Sequence, residues 1–225
     1  MFDIMDRVSY HAVYDDTILS ALQFAHLNGF SGVQVADECP HLSFNRIGST
    51  DREQLKAFSN KTGCNLSLHA PDEAVSFFIT DVLLLEGIFN YYKALIAFAV
   101  EVGAHIITVH LGSPVLFRTD SIPEEPYPQQ DRPVYHEALR LGIDRLINLV
   151  DGRLILCVEN YKMDHETLQV LDRHIGAGDL FLCWDVAKSR GKPEVQEYFL
   201  QHLDSVKQVH LHDFWQREGK LVAIV

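Results

Sequence analysis

Five short apolar segments of the sequence each end in a side chain that can bind a metal ion. Those side chains belong to His69, His110, Glu159, Asp185 and His210. In a parallel β/α barrel the carboxyl ends of the strands form one rim, and active sites lie on that rim. Three imidazoles and two carboxylates gathered there would suit Zn²⁺, Mn²⁺ or Fe²⁺. One such residue after a strand would be an ordinary polar side chain, but the repeated pattern predicts a divalent-metal site.

The sharpest local motif is the run Val-His-Leu-His-Asp at positions 209–213. Because side chains alternate along a strand, His210 and His212 are expected on the same face. We predict that His210 is a ligand and that His212 and Asp213 contact the ligands or the substrate. A purely structural His212 is the alternative.

Two further polar residues follow the predicted strand ends. Asn160 comes directly after Glu159, and its amide is predicted to bind a substrate hydroxyl. Lys188 lies three residues after Asp185 and is predicted to hold an anionic substrate group or to stabilise an enolate. The alternative for Lys188 is a solvated lysine at the start of a helix. A buried Glu159 would need a cation or a hydrogen-bond donor to stay charged.

The elements that must position these residues alternate along the whole chain. Seven strand-like segments, the first at 3–9 and the last at 206–211, alternate with six helical ones and predict a parallel β/α architecture. The glycine motifs of nucleotide-binding open sheets are absent. Ligands spread over five strand ends favour a closed barrel instead. We therefore expect residues 1–225 to form a single domain of the TIM (β/α)8 type.

The length suggests that this barrel lacks most of its eighth β/α unit. Such barrels have about 250 residues, and this chain has 225. The segment 219–225 is expected to start either a hairpin or an eighth strand. An incomplete barrel exposes apolar flanks, so we expect a second copy or a rearranged C-terminal segment to cover the gap. The proline-rich stretch 113–133 is predicted to be a lid, or alternatively a plain surface insertion.

Composition indicates which classes of binding partner and which cellular compartment to expect. Nineteen basic against thirty-one acidic residues give a net charge of −12, which disfavours non-specific binding to DNA but leaves room for a local basic patch. The four cysteines form no Cys-x-x-Cys pair and are predicted to be free thiols. The N-terminus does not look like a signal peptide, and no apolar run is judged long enough to span a bilayer. We expect a cytoplasmic protein without a membrane partner.

Five motifs together resemble the xylose isomerase-like TIM-barrel superfamily over nearly the whole chain. They are His69-Ala-Pro71, Val109-His-Leu-Gly112, Val158-Glu-Asn160, Trp184-Asp-Val-Ala187 and Val209-His-Leu-His-Asp213. The superfamily includes sugar isomerases, sugar epimerases and apurinic endonucleases of the endonuclease IV type. The resemblance implies that Glu159, Asp185 and His210 match three of the four metal ligands of the isomerases and epimerases. It also implies that His69 and His110, with a bridging Glu159, match the ligands of an additional zinc in the endonuclease branch.

The chain departs from the family pattern at three points. The family usually has histidine where this chain has Lys188, which puts a third metal site in doubt. Phe214 stands where asparagine often follows the His-Leu-His-Asp motif. The last glutamate ligand of the family belongs to an eighth strand that this chain is not expected to contain.

The resemblance implies a divalent-metal-dependent isomerase or epimerase that acts on a small sugar, a sugar phosphate or a sugar-like polyol. Zinc or manganese is the expected cofactor. Glu159 would be both ligand and general base, and Lys188 or His212 would neutralise the enediolate. One alternative is a phosphodiesterase that cleaves DNA at abasic sites. Another is a degenerate barrel without catalytic activity.

Overall fold

The computed structural model describes residues 4–72, 74–114, 129–211, 213–217 and 220–224. Seven parallel strands form one sheet in chain order: β1 Ser9–Ala12, β2 Gly32–Ala36, β3 Asn65–His69, β4 Ile106–Val109, β5 Ile155–Glu159, β6 Phe181–Asp185 and β7 Val206–His210. Six helices connect them: α1 Ile18–Leu27, α2 Ser49–Thr62, α3 Val82–Val102, α4 Arg132–Val150, α5 His165–Ala177 and α6 Pro193–Gln201. The predicted β/α alternation is confirmed.

A contact between distant strands shows that the sheet curls into a half-barrel. The Thr108 hydroxyl on β4 donates a hydrogen bond of 2.5 Å to Oε1 of Gln208 on β7. In a flat sheet, strands three places apart would be separated by roughly 14 Å. The sheet must therefore roll until the inner faces of β4 and β7 meet, and the seven parallel strands of the described residues form the curled half-barrel of a TIM-type fold.

Alternation along each strand separates an outer apolar face from an inner polar one. Outward side chains pack with the helices in the core: Leu66, Leu68, Ile107, Val109, Leu156, Val158 and Leu182. The inward positions between them carry small or polar residues: Ser67, Thr108, Cys157, Cys183 and Gln208. Each of these inner residues is followed two positions later by one of the five candidate ligands. The period of two therefore directs all five candidates toward the same interior.

Helix α3 shows how the outer layer is held. Asp81 caps its first turn by accepting hydrogen bonds from the amides of Leu83 and Leu84, and Gly103 ends the helix with a left-handed φ of 77°. By length and apolar composition alone, α3 is long and apolar enough to cross a membrane. In the fold it connects β3 to β4. One face, including Phe89 and Tyr92, is buried in the core.

The first strand lies later in the chain than the sequence suggested. Residues Ile4–Arg7 form a short 3-10 helix, and β1 is Ser9–Ala12 rather than 3–9. Packing explains the shift, because Tyr10 contacts the rings of Phe24 and Phe30, with ring centroids 5.0 Å and 5.9 Å away. Ala12 is fully buried. Tertiary contacts thus outweigh the local apolar pattern.

Two segments beyond the central sheet also bear on the sequence predictions. Strands β8 (Asp213–Arg217) and β9 (Lys220–Ile224) form a separate antiparallel pair. Of the two alternatives for the C-terminal segment, the hairpin is therefore confirmed, and the eighth barrel strand is wrong for the residues that are described. Residues 115–128 of the predicted lid lie outside the described part of the chain, so that function stays a prediction.

Candidate metal centre

The strand ends bring the predicted side chains to one rim of the half-barrel. His69, Glu159, Asp185 and His210 are the last residues of β3, β5, β6 and β7, and His110 follows β4 directly. Three of the four are buried, as is His110, and the side chain of His210 is 12% exposed. The rim therefore holds candidate ligands from five strands.

Glu159 stands at the centre of this group and is completely buried. Its Oε2 atom lies 3.1 Å from Nε2 of His69 and 2.9 Å from Nδ1 of His210. Its Oε1 atom lies 3.2 Å from Nε2 of His110 and 2.5 Å from Nζ of Lys188. The carboxylate thus has two flanks. We call them the Oε2 flank, with His69 and His210, and the Oε1 flank, with His110 and Lys188.

The surroundings keep Glu159 ionised. Burial alone raises the pKa of a carboxyl group, but hydrogen bonds with His110, His210 and His69 outweigh it and hold the pKa of Glu159 well below its ordinary value. The sequence analysis required a cation or a donor beside a buried Glu159. The structure supplies several.

The orientation of His69 suits a metal ligand. Its Nδ1 atom lies 2.8 Å from the carbonyl oxygen of Ala70. A carbonyl only accepts, so Nδ1 carries the hydrogen and the neutral ring presents a lone pair on Nε2 to Oε2 of Glu159. Two acceptors face each other there, and a proton or a cation must lie between them. Burial lowers the pKa of His69, but Glu159 and Asp72 raise it, and the net direction is upward.

These observations show that the residues fit a divalent ion. Ligand atoms of His69, His110 and Glu159 all lie within 4.8 Å of one another, and those of Glu159, Cys183 and His210 form a second such group. A histidine that donates its other ring hydrogen to a backbone carbonyl is the usual arrangement in metal sites. Burial, with Glu159 nearby, raises the pKa of the Cys183 thiol well above its ordinary value. The thiol is therefore the weakest donor of the set.

Two residues near the site were not predicted from the sequence. Oδ1 of Asp72 lies 3.1 Å from Nδ1 of His110 and 3.4 Å from Nδ1 of His69. The ring of Tyr161 stacks on His110 at a centroid distance of 4.5 Å. Their positions offered a signal, since Asp72 follows the His69-Ala-Pro71 motif and Tyr161 follows Val158-Glu-Asn160.

Glycine at position 112 allows the loop beside His110 to close. Gly112 has a left-handed φ of 78°, and a Cβ atom there would lie 2.5 Å from the backbone of Ser76. Ser76 belongs to the segment after β3, and its hydroxyl donates to the carbonyl of Ser113 at 2.9 Å. Only glycine permits this close approach, which packs the loops after His69 and His110 together.

Lys188 reaches into the centre from the loop after β6. Its ammonium lies 3.4 Å from Nε2 of His110, 3.8 Å from Oδ2 of Asp185 and 4.8 Å from the centroid of the Tyr161 ring. Burial lowers the pKa of Lys188, but the charge and hydrogen bond of Glu159 more than compensate and raise it. The lysine therefore stays protonated.

Asp185 contacts Lys188 through both of its carboxylate oxygens. Oδ1 accepts a hydrogen bond of 2.9 Å from the backbone amide of Lys188, and Oδ2 lies 3.8 Å from the ammonium. Neither of the two ligand groups found among the described residues includes Asp185. Its role as a ligand stays a prediction.

Asn160 links the ends of β5 and β6 by hydrogen bonds. Its side-chain amide donates to the carbonyl of Asp185 at 2.9 Å and accepts from the amide of Asp185 at 2.7 Å. Contact with a substrate would have to use the remaining donor and lone pair, and it stays a prediction. His212 lies outside the described residues. The side chain of Asp213 is likewise not described, so both roles stay predictions.

The fold resembles several solved structures. The 3-keto-D-glucoside 4-epimerase of E. coli has a TM-score of 0.66 and 15% identity, and the match covers 92% of this chain and 78% of that one. D-psicose 3-epimerase of Clostridium cellulolyticum has a TM-score of 0.68 and 11% identity, over 90% and 71%. Endonuclease IV of Thermus thermophilus has a TM-score of 0.66 and 18% identity, over 92% and 76%.

Sequence comparison identifies the family directly. No curated protein sequence matches the chain significantly. A sequence model of the xylose isomerase-like TIM barrel matches residues 22–222. The match begins within α1 and includes helices α2 to α6 and strands β2 to β7. Together with the curled parallel sheet, this match shows that the chain belongs to the xylose isomerase-like TIM barrel family.

Proposed function

We propose that the protein is a divalent-metal-dependent isomerase or epimerase of a small sugar, a sugar phosphate or a related polyol. The observation that supports it is the placement of Glu159, a fully buried carboxylate in contact with three imidazoles and one ammonium. Such a carboxylate can hold a metal ion and also accept a proton from carbon. Four free cysteines suit the reducing cytoplasm in which we place the protein.

Glu159 would hold the ion together with imidazoles of the two ligand groups that share it, His69 and His110 in one group and His210 in the other, and zinc or manganese matches these donors. When bound, the ion polarises the substrate carbonyl and the neighbouring hydroxyl. The remaining groups of the rim bind and orient the sugar. Asp72 and Tyr161 flank His110 and restrict where a substrate can lie.

Glu159 would take the proton from the carbon beside the carbonyl. Its low pKa makes Glu159 a weak base as long as it keeps its hydrogen bonds with the imidazoles and its ion pair with Lys188. The ammonium of Lys188, 2.5 Å from Oε1, can turn to the substrate oxygen on which negative charge develops. That shift would stabilise the enediolate and make Glu159 more basic at the same moment. Lys188 and Glu159 therefore act as a coupled pair.

The structural neighbours support a sugar as the substrate class, since two of those compared are named as epimerases of D-psicose and of a 3-keto-glucoside. The direct test is solvent-deuterium exchange into D-psicose, D-tagatose and D-fructose with the Zn²⁺- or Mn²⁺-loaded protein, read by mass spectrometry. We expect exchange at the carbon beside the carbonyl, and its loss in Glu159→Gln. Exchange that survives in Glu159→Gln would contradict the role of Glu159 as base.

A second candidate function is cleavage of DNA at abasic sites. The observation in its favour is the group of His69, His110 and Glu159, which offers two imidazoles to one ion. The acidic net charge of −12 and the ammonium of Lys188 on the Oε1 flank count against it. Incision of an abasic-site duplex that is lost in His110→Ala would favour this function. Failure of both assays with the metal-loaded protein would favour the non-catalytic barrel.

A further inference from the structure

Among the described residues, an ammonium contacts the Oε1 flank of Glu159, whereas imidazoles contact its Oε2 flank. On the Oε1 flank, Lys188 places its ammonium 2.5 Å from Oε1 and 3.4 Å from Nε2 of His110. On the Oε2 flank, two imidazole nitrogens approach Oε2 at 3.1 Å and 2.9 Å, and His69 already uses its Nδ1 hydrogen on the Ala70 carbonyl.

The groups around the Lys188 ammonium resemble those around a metal ion. A carboxylate oxygen, an imidazole nitrogen and, at 3.8 Å, the carboxylate of Asp185 surround it. Nε2 of His110 lies 3.2 Å from Oε1 of Glu159 and 3.4 Å from the ammonium, so it faces the carboxylate and the ammonium together. The other ring nitrogen of His110 lies 3.1 Å from Oδ1 of Asp72. The His110 ring therefore lies between Asp72 on one side and Glu159 with Lys188 on the other.

Three features hold the ammonium in this place. The backbone amide of Lys188 donates to Oδ1 of Asp185 at 2.9 Å, which fixes the start of the loop after β6. The Tyr161 ring lies 4.8 Å from the ammonium and adds a cation–π contact. The side chain is only 31% exposed. A divalent ion could enter the Oε1 flank only by displacing a cation that is covalently part of the chain.

We propose that Lys188 takes the position of a second metal ion between His110, Asp185 and Glu159, so that the site binds one divalent ion, on the Oε2 flank. This inference rests on the proposed metal-dependent function and makes it more specific. A single ion with an ammonium beside it suits a substrate with two adjacent oxygens, one for each cation. The α-hydroxy carbonyl group of a ketose is such a substrate. Binding of one ion would exclude the function of a phosphodiesterase whose mechanism requires two ions.

Metal stoichiometry tests the proposal without reference to activity. The full chain is loaded with Mn²⁺, desalted and measured by elemental analysis and by electron paramagnetic resonance. We expect one ion per chain and an uncoupled spectrum for the wild type and for Lys188→Arg, which keeps the charge. Lys188→Met removes the ammonium and should bind two ions with a spin-coupled spectrum. Lys188→Gln serves as a second neutral variant if Lys188→Met does not fold.

Lys162 provides the matched control, because its ammonium lies 4.7 Å from the centroid of the same Tyr161 ring. Lys162→Met should keep one ion. Two ions in the wild type, or one ion in both neutral Lys188 variants, would overturn the inference and leave the proposed function standing. A wild type that binds no ion would overturn both. One ion in the wild type and two in Lys188→Met, without deuterium exchange into any ketose, would support the inference and refute the isomerase.

Discussion

The middle of the sheet and its last strand differ in how completely they are covered. On β5, residues 156–159 are each at most 1% exposed, because the core covers one face and the curled interior the other. On β7, half-buried and exposed residues alternate, and Val209 is 47% exposed. The site takes Glu159 from the covered centre and His210 from the open edge. The central carboxylate is therefore fixed by packing on both sides, whereas His210 has less support.

The largest expected effect comes from the centre. Glu159→Gln keeps the shape of the side chain but removes the charge that contacts every imidazole of the site. We expect metal affinity to fall by more than about 100-fold, beyond the loss typical of residues that only support a ligand. The measurement is a thermal shift assay with and without Zn²⁺. At a Zn²⁺ concentration of about 100 times the Kd, the free energy of unfolding of the wild type should rise by about 2.7 kcal/mol. Glu197→Gln on α6 is the control and should respond like the wild type.

Asn160 tests whether the covered centre depends on its hydrogen bonds. Asn160→Ala removes both bonds to the Asp185 backbone and leaves that buried amide and carbonyl unpaired. The free energy of unfolding should fall by about 1–3 kcal/mol in urea titrations. Asn60→Ala on the exposed face of α2 should cost nothing, since alanine favours helix. Equal stability of the two variants would show that the ends of β5 and β6 are held by other contacts.

A pair of valines compares the outer faces of the two strands directly. Val158 precedes Glu159 and is 1% exposed, whereas Val209 precedes His210 and is 47% exposed. Val158→Ala should destabilise the protein by about 2 kcal/mol through lost burial and a cavity. Val209→Ala should change stability by less than about 0.5 kcal/mol. If chemical denaturation finds equal losses, the outer face of β7 is covered in solution.

The smallest expected effect concerns association at that edge. Val209 and Leu211 are 47% and 79% exposed on the outer side of β7, and such apolar exposure favours contact with a second copy. We expect an oligomer in light scattering that dissociates in Leu211→Glu with little change in the unfolding free energy. Leu27→Glu, at a leucine that is 82% exposed on α1, should leave the oligomer intact. A monomeric wild type would contradict the prediction.

Much of the candidate site follows from the sequence because strand periodicity is local. An apolar run that ends in His or Glu specifies both the face and the end of the strand on which the side chain lies. Parallel alternation then places those ends on one rim. The positions of His69, His110, Glu159 and His210 around a common centre required no further information. The predicted start of β1 at residue 3 was wrong for the opposite reason, because aromatic packing of Tyr10 decided it.

Other features depended on the tertiary structure alone. Periodicity does not tell how tightly a sheet curls, and the contact between Thr108 and Gln208 is what brings β7 close to β4. Loops have no period at all, so the reach of Lys188 to Glu159 and the approach of Asp72 to His110 could not be read from spacing. Strand periodicity alone places the three imidazoles around Glu159. Only the folded loops decided that one flank of that carboxylate already carries a cation, because a flexible lysine can point anywhere until Asp185 and Tyr161 fix it.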